Sequence, residues 1–200
     1  DCYFALASFI NNTTRKVKNV SKLKSFFLDI DCGDGKDYTT QEDAVVALQA
    51  FCKTLKLPRP ILVNSGRGVH VHWQLAEPVV YDDWFPVASR FKAMTKTHGL
   101  KCDHAVTSDA ARILRIPTTH NHKTSPPSEV QYFGTPRQEW VDFDAFSELL
   151  GNDPIPVPEK VIEEFSAVVQ GLHSNKENYF KDIIVKTSKG EGCAQLRDRQ

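Results

Sequence analysis

The run Phe-Phe-Leu-Asp-Ile-Asp at 26–31 constrains the fold more than any other stretch of this chain. It is apolar, it reads as a strand, and it carries carboxylates at alternate positions near its end. Side chains of a strand point to opposite faces in turn, so Asp29 and Asp31 lie on one face. Burying them unpaired would be costly. Hard divalent cations take carboxylate oxygens, and two carboxylates on one face can bridge two such ions. Paired aspartates also cap strands and begin turns, and taken alone this pair favours that plainer role. An EF-hand loop over 29–35 is excluded by its register and by the lack of a closing glutamate.

The rest of the chain alternates strand-like and helical patterns. Residues 2–9 read as a buried opening strand, followed by a turn at Asn11 and Asn12 and a basic stretch with Arg15, Lys16, Lys18, Lys22 and Lys24. Cys32 to Gly35 form the turn after the aspartates. Ala44, Val45, Leu48, Phe51, Cys52 and Leu55 recur at helical spacing over 42–56, and Pro58 and Pro60 stop that helix. Strands at 61–64 and 69–75 flank a glycine turn. A second helix is predicted over 82–97, with Trp84, Val87, Ala88 and Phe91 on its buried stripe and Gly99 closing it. Residues 100–128 read as short strands and working loops, 130–133 as a strand and 143–150 as a short helix. Residues 151–158 have a linker's composition, with helices expected beyond. The fold class predicted is therefore α+β or α/β: a core over 1–150, then a linker and C-terminal helical segment over 151–200 leading to further domains of a longer protein.

Composition sets limits without naming an activity. Lys plus Arg equals Asp plus Glu, 25 each, so any nucleic-acid binding must come from a local groove rather than from overall basic charge. The five cysteines include no CxxC pair and no zinc ligand set, which points to a reduced, intracellular protein. No apolar run approaches the ~20 residues of a membrane span, and no signal peptide is visible.

Two further clusters carry chemistry. In Val63–Trp73, Gly66 and Gly68 allow a turn whose amides can face a phosphate. Ser65 adds a hydroxyl and Arg67 a planar fork suited to phosphate oxygens. His70 and His72 share one strand face, opposite Val69 and Val71, with Trp73 on the valine side in the core. The plainer reading is a hairpin turn with solvated histidines; the concentration of donors within eight residues argues against it. In Gly99–Lys123, Asp103, Asp109, Arg112, Arg115, Asn121 and Lys123 are interleaved with apolar residues, a mixture that suits a nucleoside triphosphate on metals. Ordinary surface ion pairs are the alternative. Asp109 reads as structural, since Ser-Asp-Ala-Ala-Arg looks like a helix start.

An apolar strand ending in DxD, then SGxGxH on a later strand, then Asp and an RxPxTxNxK stretch resembles the archaeo-eukaryotic primase (AEP) superfamily, most nearly the primase-polymerases of phages and mobile elements. The likeness covers residues 3–133. It implies an RRM-like catalytic sheet beside an α/β module, with Asp29, Asp31 and Asp103 as ligands of magnesium or manganese in a two-metal site. It places His70, in Gly68-Val69-His70, at the incoming nucleotide's phosphates, and Arg115, Asn121 and Lys123 in a nucleotide-contacting stretch. Relatives often have glycine where this chain has Thr118. The activity implied is nucleotidyl transfer from NTPs or dNTPs on a single-stranded DNA template or primer, inside a cell hosting a phage or mobile element. A helicase domain or protein is an expected companion, and no membrane is involved.

With Ser65, Arg67 and His72 the same stretch would bind triphosphate, and Arg15 to Lys24 would contact the template. Two rivals remain. A rolling-circle nickase would use His70 and His72 for one metal and Tyr81 or Tyr132 as nucleophile. A non-catalytic RRM-like module would stack bases on exposed sheet aromatics.

Overall fold

The strand that ends in the paired aspartates lies at the centre of the fold. The computed structural model describes residues 1–135 and 139–151. In it, β3 (Val20–Asp31) lies in a five-stranded sheet, between β2 (Ala7–Phe9) and β5 (Gly68–Val80), with β4 (Ile61–Asn64) and β9 (Gln131–Tyr132) beyond β5. Every pairing between these strands is antiparallel. β3 and β4 therefore run the same way with β5 between them, and α1 (Gln41–Leu55) connects them: a split β-α-β unit. Two short ribbons accompany the sheet: β1 (Tyr3–Ala5) with β6 (Ile113–Arg115), and β7 (His120–Asn121) with β8 (Ser128–Glu129). The fold is α+β, as the alternating patterns predict.

Register divides the sheet into two chemistries. Phe26, Leu28 and Ile30 lie opposite Trp73, Val71 and Val69, all buried. Phe26 stacks on Phe146 of α4 (Phe143–Leu149) at 4.6 Å between ring centroids, and Trp73 meets Phe91 of α2 (Tyr81–Thr97) edge-on at 5.3 Å. Buried indoles need a partner for their N–H; Trp73 donates to the Pro58 carbonyl and Trp84 to that of Ser25. The alternate residues, Asp29 opposite His70 and Asp31 opposite Gly68, belong to the other face. α1 begins on a capping box, Thr40 with Asp43. α2 is followed by Gly99 at φ +70°.

Three expectations are corrected. The opening is not one buried strand: β1 and β2 pair with different partners, and of residues 1–9 only Leu6, between them, is buried. The Leu6 amide still follows the first partner, donating to the Arg112 carbonyl next to β6, and the change to β3 comes at Ala7. Lys22 and Lys24 are not in a loop before the strand, because β3 starts at Val20 and they are exposed within it. Ser108–Arg112 does not start a helix: α3 (His104–Thr107) ends before it, and Asp109 closes a turn by accepting from the Ala111 amide. The linker and helices expected over 152–200 lie outside the described residues.

Candidate active site

The carboxylates meet at the end of β3. Asp29 and Asp31 project from its last turn of pleat, and the free edge of the strand recruits the third: the Asp103 amide donates to the Asp29 carbonyl at 2.8 Å. Asp103 also caps α3 with Oδ1, accepting from the Ala105 amide. Its other oxygen, Oδ2, lies 3.7 Å from Arg112 Nη2, which is also 3.7 Å from Asp29 Oδ2. Asp31 is held at 2.8 Å by Lys36.

Burial, then the Asp31 and Asp103 carboxylates against the pull of Arg112, raise the Asp29 pKa to about 6. The site thus concentrates negative charge that its own cations only partly offset. Among the described residues, no three His, Cys, Asp or Glu side chains are already gathered as a metal site. The donor set still fits magnesium or manganese: three oxygen ligands facing one space, with Arg112 and Lys36 against them where cations are favoured.

His70 faces Asp29 with Nε2 3.8 Å from Oδ1. Burial foremost, then His72 and the nearby arginines, lower its pKa to about 3, so the contact is between a carboxylate and a neutral ring. Its Nδ1 is buried and, among the described residues, has no hydrogen-bond partner, while Nε2 is the nitrogen on the Asp29 side.

The glycine turn is built differently from the phosphate cradle expected. The Ser65 amide donates to the Gly68 carbonyl and the Gly66 amide to Asn64 Oδ1, so these two amides are already taken. Gly66 sits at φ +89°, and an added Cβ would press on Asn121 and Ser128. Gly68 is needed for close approach, since its Cβ would collide with the Ile30 carbonyl. Among the described residues the Arg67 amide has no such partner, and beside it stand the Ser65 hydroxyl and the exposed Arg67 guanidinium. Asn121, buried, donates from Nδ2 to the Ser65 carbonyl and accepts from the Lys123 amide with Oδ1, which makes it a brace for the turn.

One cleft of about 600 Å³ is lined by Asp29, Asp31, Asp103, His70, Ser65, Arg67, Arg115, Asn121 and Lys123. Arg112, Arg115 and Lys123 come to it from the chain after α3, together with Asp109, while Arg15, Lys36 and Arg67 come from earlier segments. Of the basic stretch, Arg15 lines this cleft and donates to the Ala111 carbonyl, whereas Lys16 and Lys18 are exposed outside its lining.

His72 does not share the cleft. It lines a separate pocket with Phe4, its ring centroid 6.4 Å from that of His70. Sequence reasoning singled out Arg112 only as one of its charged segment and missed Lys36 and Tyr3, whose hydroxyl accepts from Arg115. Arg112 stands inside the charged segment, but which acid it faces depends on how that segment docks. Gln41, at the start of α1, also went unnoticed; it binds Asn64 and the Gly68 carbonyl and fixes the turn.

No family model matches this chain, and no curated protein matches it. Its structure is similar to that of the AEP domain of a primase-polymerase from cyanophage S-2L, with TM-score 0.55 and 17% identity over 74% of this chain and 69% of that one. At that identity the likeness is one of fold: the chain has an AEP-like fold.

Proposed function

We propose that this chain is a metal-dependent nucleotidyltransferase that extends, or starts, a strand on a single-stranded DNA template. The observation that carries the reading is the convergence of Asp29, Asp31 and Asp103 in one cleft that Ser65, Arg67, His70, Arg115 and Lys123 also line. Carboxylates without cations would repel a triphosphate, and cations without carboxylates would hold one inertly. Their juxtaposition suits transfer of a nucleotidyl group. A cyanophage primase-polymerase domain of similar fold adds support.

In this reading Asp29, Asp31 and Asp103 hold magnesium or manganese. The bound ions would lower the pKa of the attacking hydroxyl and offset charge on the leaving pyrophosphate. Arg67, Ser65 and Lys123 bind phosphate oxygens, and Arg115 adds a second guanidinium. His70, neutral and lining the cleft with Nε2 on the Asp29 side, would donate to a phosphate oxygen or accept from a hydroxyl through that nitrogen. Arg112 and Lys36, which pair with the carboxylates that would hold the ions, would have to give way to them, and Arg112, lining the same cleft, would then serve as a further phosphate ligand.

The nickase alternative needs both histidines on one metal, and they open onto different cavities. The test is extension of a primed single-stranded template with dNTPs and manganese, comparing wild type with Asp29→Asn. Extension by wild type and none by the variant, with the variant folded, is expected. Equal extension by both would remove Asp29 from the chemistry. A covalent protein–DNA adduct instead would revive the nickase.

A further inference from the structure

Beside the cleft lies a second concavity of about 270 Å³ that the proposed chemistry does not use. Three large aromatics from distant parts of the chain line it, and all are exposed: Phe4 (38%), Tyr132 (42%) and Trp140 (51%). Each is anchored by its backbone. Phe4 is on β1, with its ring 6.2 Å from that of His72. Tyr132 pairs with Val63 across β9 and β4. Trp140 precedes Val141, whose amide donates to the Gln74 carbonyl of β5. Among the described residues, the walls carry one cation, Lys24, 4.6 Å from the Trp140 ring centroid, and no carboxylate.

We infer that this pocket takes a base of the single-stranded template, stacked among Phe4, Tyr132 and Trp140, with Lys24 against the adjoining phosphodiester. Rigid aromatic rings exposed in a concavity suit nucleobases, because every base presents a π-face. The pocket is separate from the cleft but follows it along β5. His70 opens onto the cleft and His72, two residues along the same strand, onto the pocket. That is a step of ~6.6 Å, about two nucleotides at the ~3.4 Å rise of a stacked strand. Charge separates strand from substrate: one lysine matches the single charge of a phosphodiester, whereas a triphosphate requires the cations gathered in the cleft. The identity of the strand as template rests on the nucleotidyl-transfer reading.

Trp73 and Trp84 are fully buried, so quenching by a bound base reports on Trp140. An unlabelled oligothymidylate is titrated into the full 200-residue chain without metal, following tryptophan fluorescence; dTTP affinity is measured separately with manganese. The expected result is quenching by the oligonucleotide that is lost in Trp140→Leu. Strand affinity should fall about tenfold or more in Trp140→Leu and in Tyr132→Ala and be largely kept in Trp140→Phe, with dTTP affinity unchanged in all three. Strand affinity within twofold of wild type in both truncations would overturn the inference. So would loss of dTTP binding in place of strand binding, which would assign the pocket to the incoming nucleotide. So would absence of quenching in wild type, which would mean the pocket is closed by the chain itself. Asp29→Asn separates the two readings: a variant that extends sinks the metal chemistry while its quenching still reports on the pocket.

Discussion

Thr118 holds a backbone conformation that glycine takes freely and a β-branched residue resists. Its φ is +69°, and its amide donates to the Val130 carbonyl at 2.7 Å, so the loop after β6 is pinned in that shape. The primase resemblance leads to an expectation of glycine here, and the backbone at this threonine has the conformation glycine favours. A left-handed non-glycine residue is strained by ~1–2 kcal/mol, offset in part by the extra freedom glycine has in the unfolded chain. Thr118→Gly should therefore stabilise the protein by about 1 kcal/mol in urea unfolding. A loss of stability would show that threonine's side chain contributes more than its strain costs. The carboxylates follow a different logic. Asp29 could be singled out in the sequence because alternation fixes its face, whereas its pairing with Arg112 arises from a segment more than eighty residues away and has no local signature.

The hairpin from β4 to β5 shows what an element contributes beyond its residues. The glycines at 66 and 68 are visible in the sequence as turn formers, and a phosphate cradle was a reasonable expectation for them. The structure instead uses Gly68 to let β5 approach the end of β3, where any Cβ would strike the Ile30 carbonyl. This close approach aligns Asp31 opposite Gly68 and Asp29 opposite His70. Gly68→Ala should be destabilising by ~2–4 kcal/mol, since backbone must move to relieve the clash. It should also reduce extension activity more than triphosphate binding, because it displaces the carboxylates relative to His70. Chemical denaturation together with kcat and KM for dNTP distinguishes this from simple unfolding. Unchanged stability would mean that the strand ends tolerate separation. Elements were well legible where they follow a local period: α1, α2 and β4 appear close to their expected places, whereas β5 runs five residues past its expected end and β3 starts at Val20, ahead of the apolar run.

At the scale of the molecule, charge buried near one sheet face couples folding to pH. His70 and His72 have pKa values lowered to about 3 and about 4 from 6.5, chiefly by burial, and Asp29 is raised from 3.8 to about 6 by the same cause. Between pH 6 and about 4.5 the unfolded chain binds two protons that the native histidines refuse, and native Asp29 holds one that the unfolded chain releases. The net is one extra proton on the unfolded state, so stability should fall by ~1.4 kcal/mol per pH unit on acidification. Asp29→Asn removes the compensating proton and should steepen that slope to ~2.7 kcal/mol per unit. Urea unfolding of both proteins across this window is the measurement, and parallel slopes would place Asp29's titration outside the window.

The sequence by itself determined the alternation of strands and helices, the face shared by Asp29 and Asp31, the core position of Trp73 and the sites of the turns. These depend on periodicity and on residues a few positions apart, and such information is local. Only tertiary structure decided that Asp103 docks on the edge of β3, that Arg112 lies between two aspartates, that Asn121 braces the glycine turn, and that His70 and His72 face different cavities. It also decided that Phe4, Tyr132 and Trp140 surround one pocket. Each of these is a meeting of segments far apart in the chain, set by how helices and ribbons pack on the sheet, and packing leaves no period in the sequence.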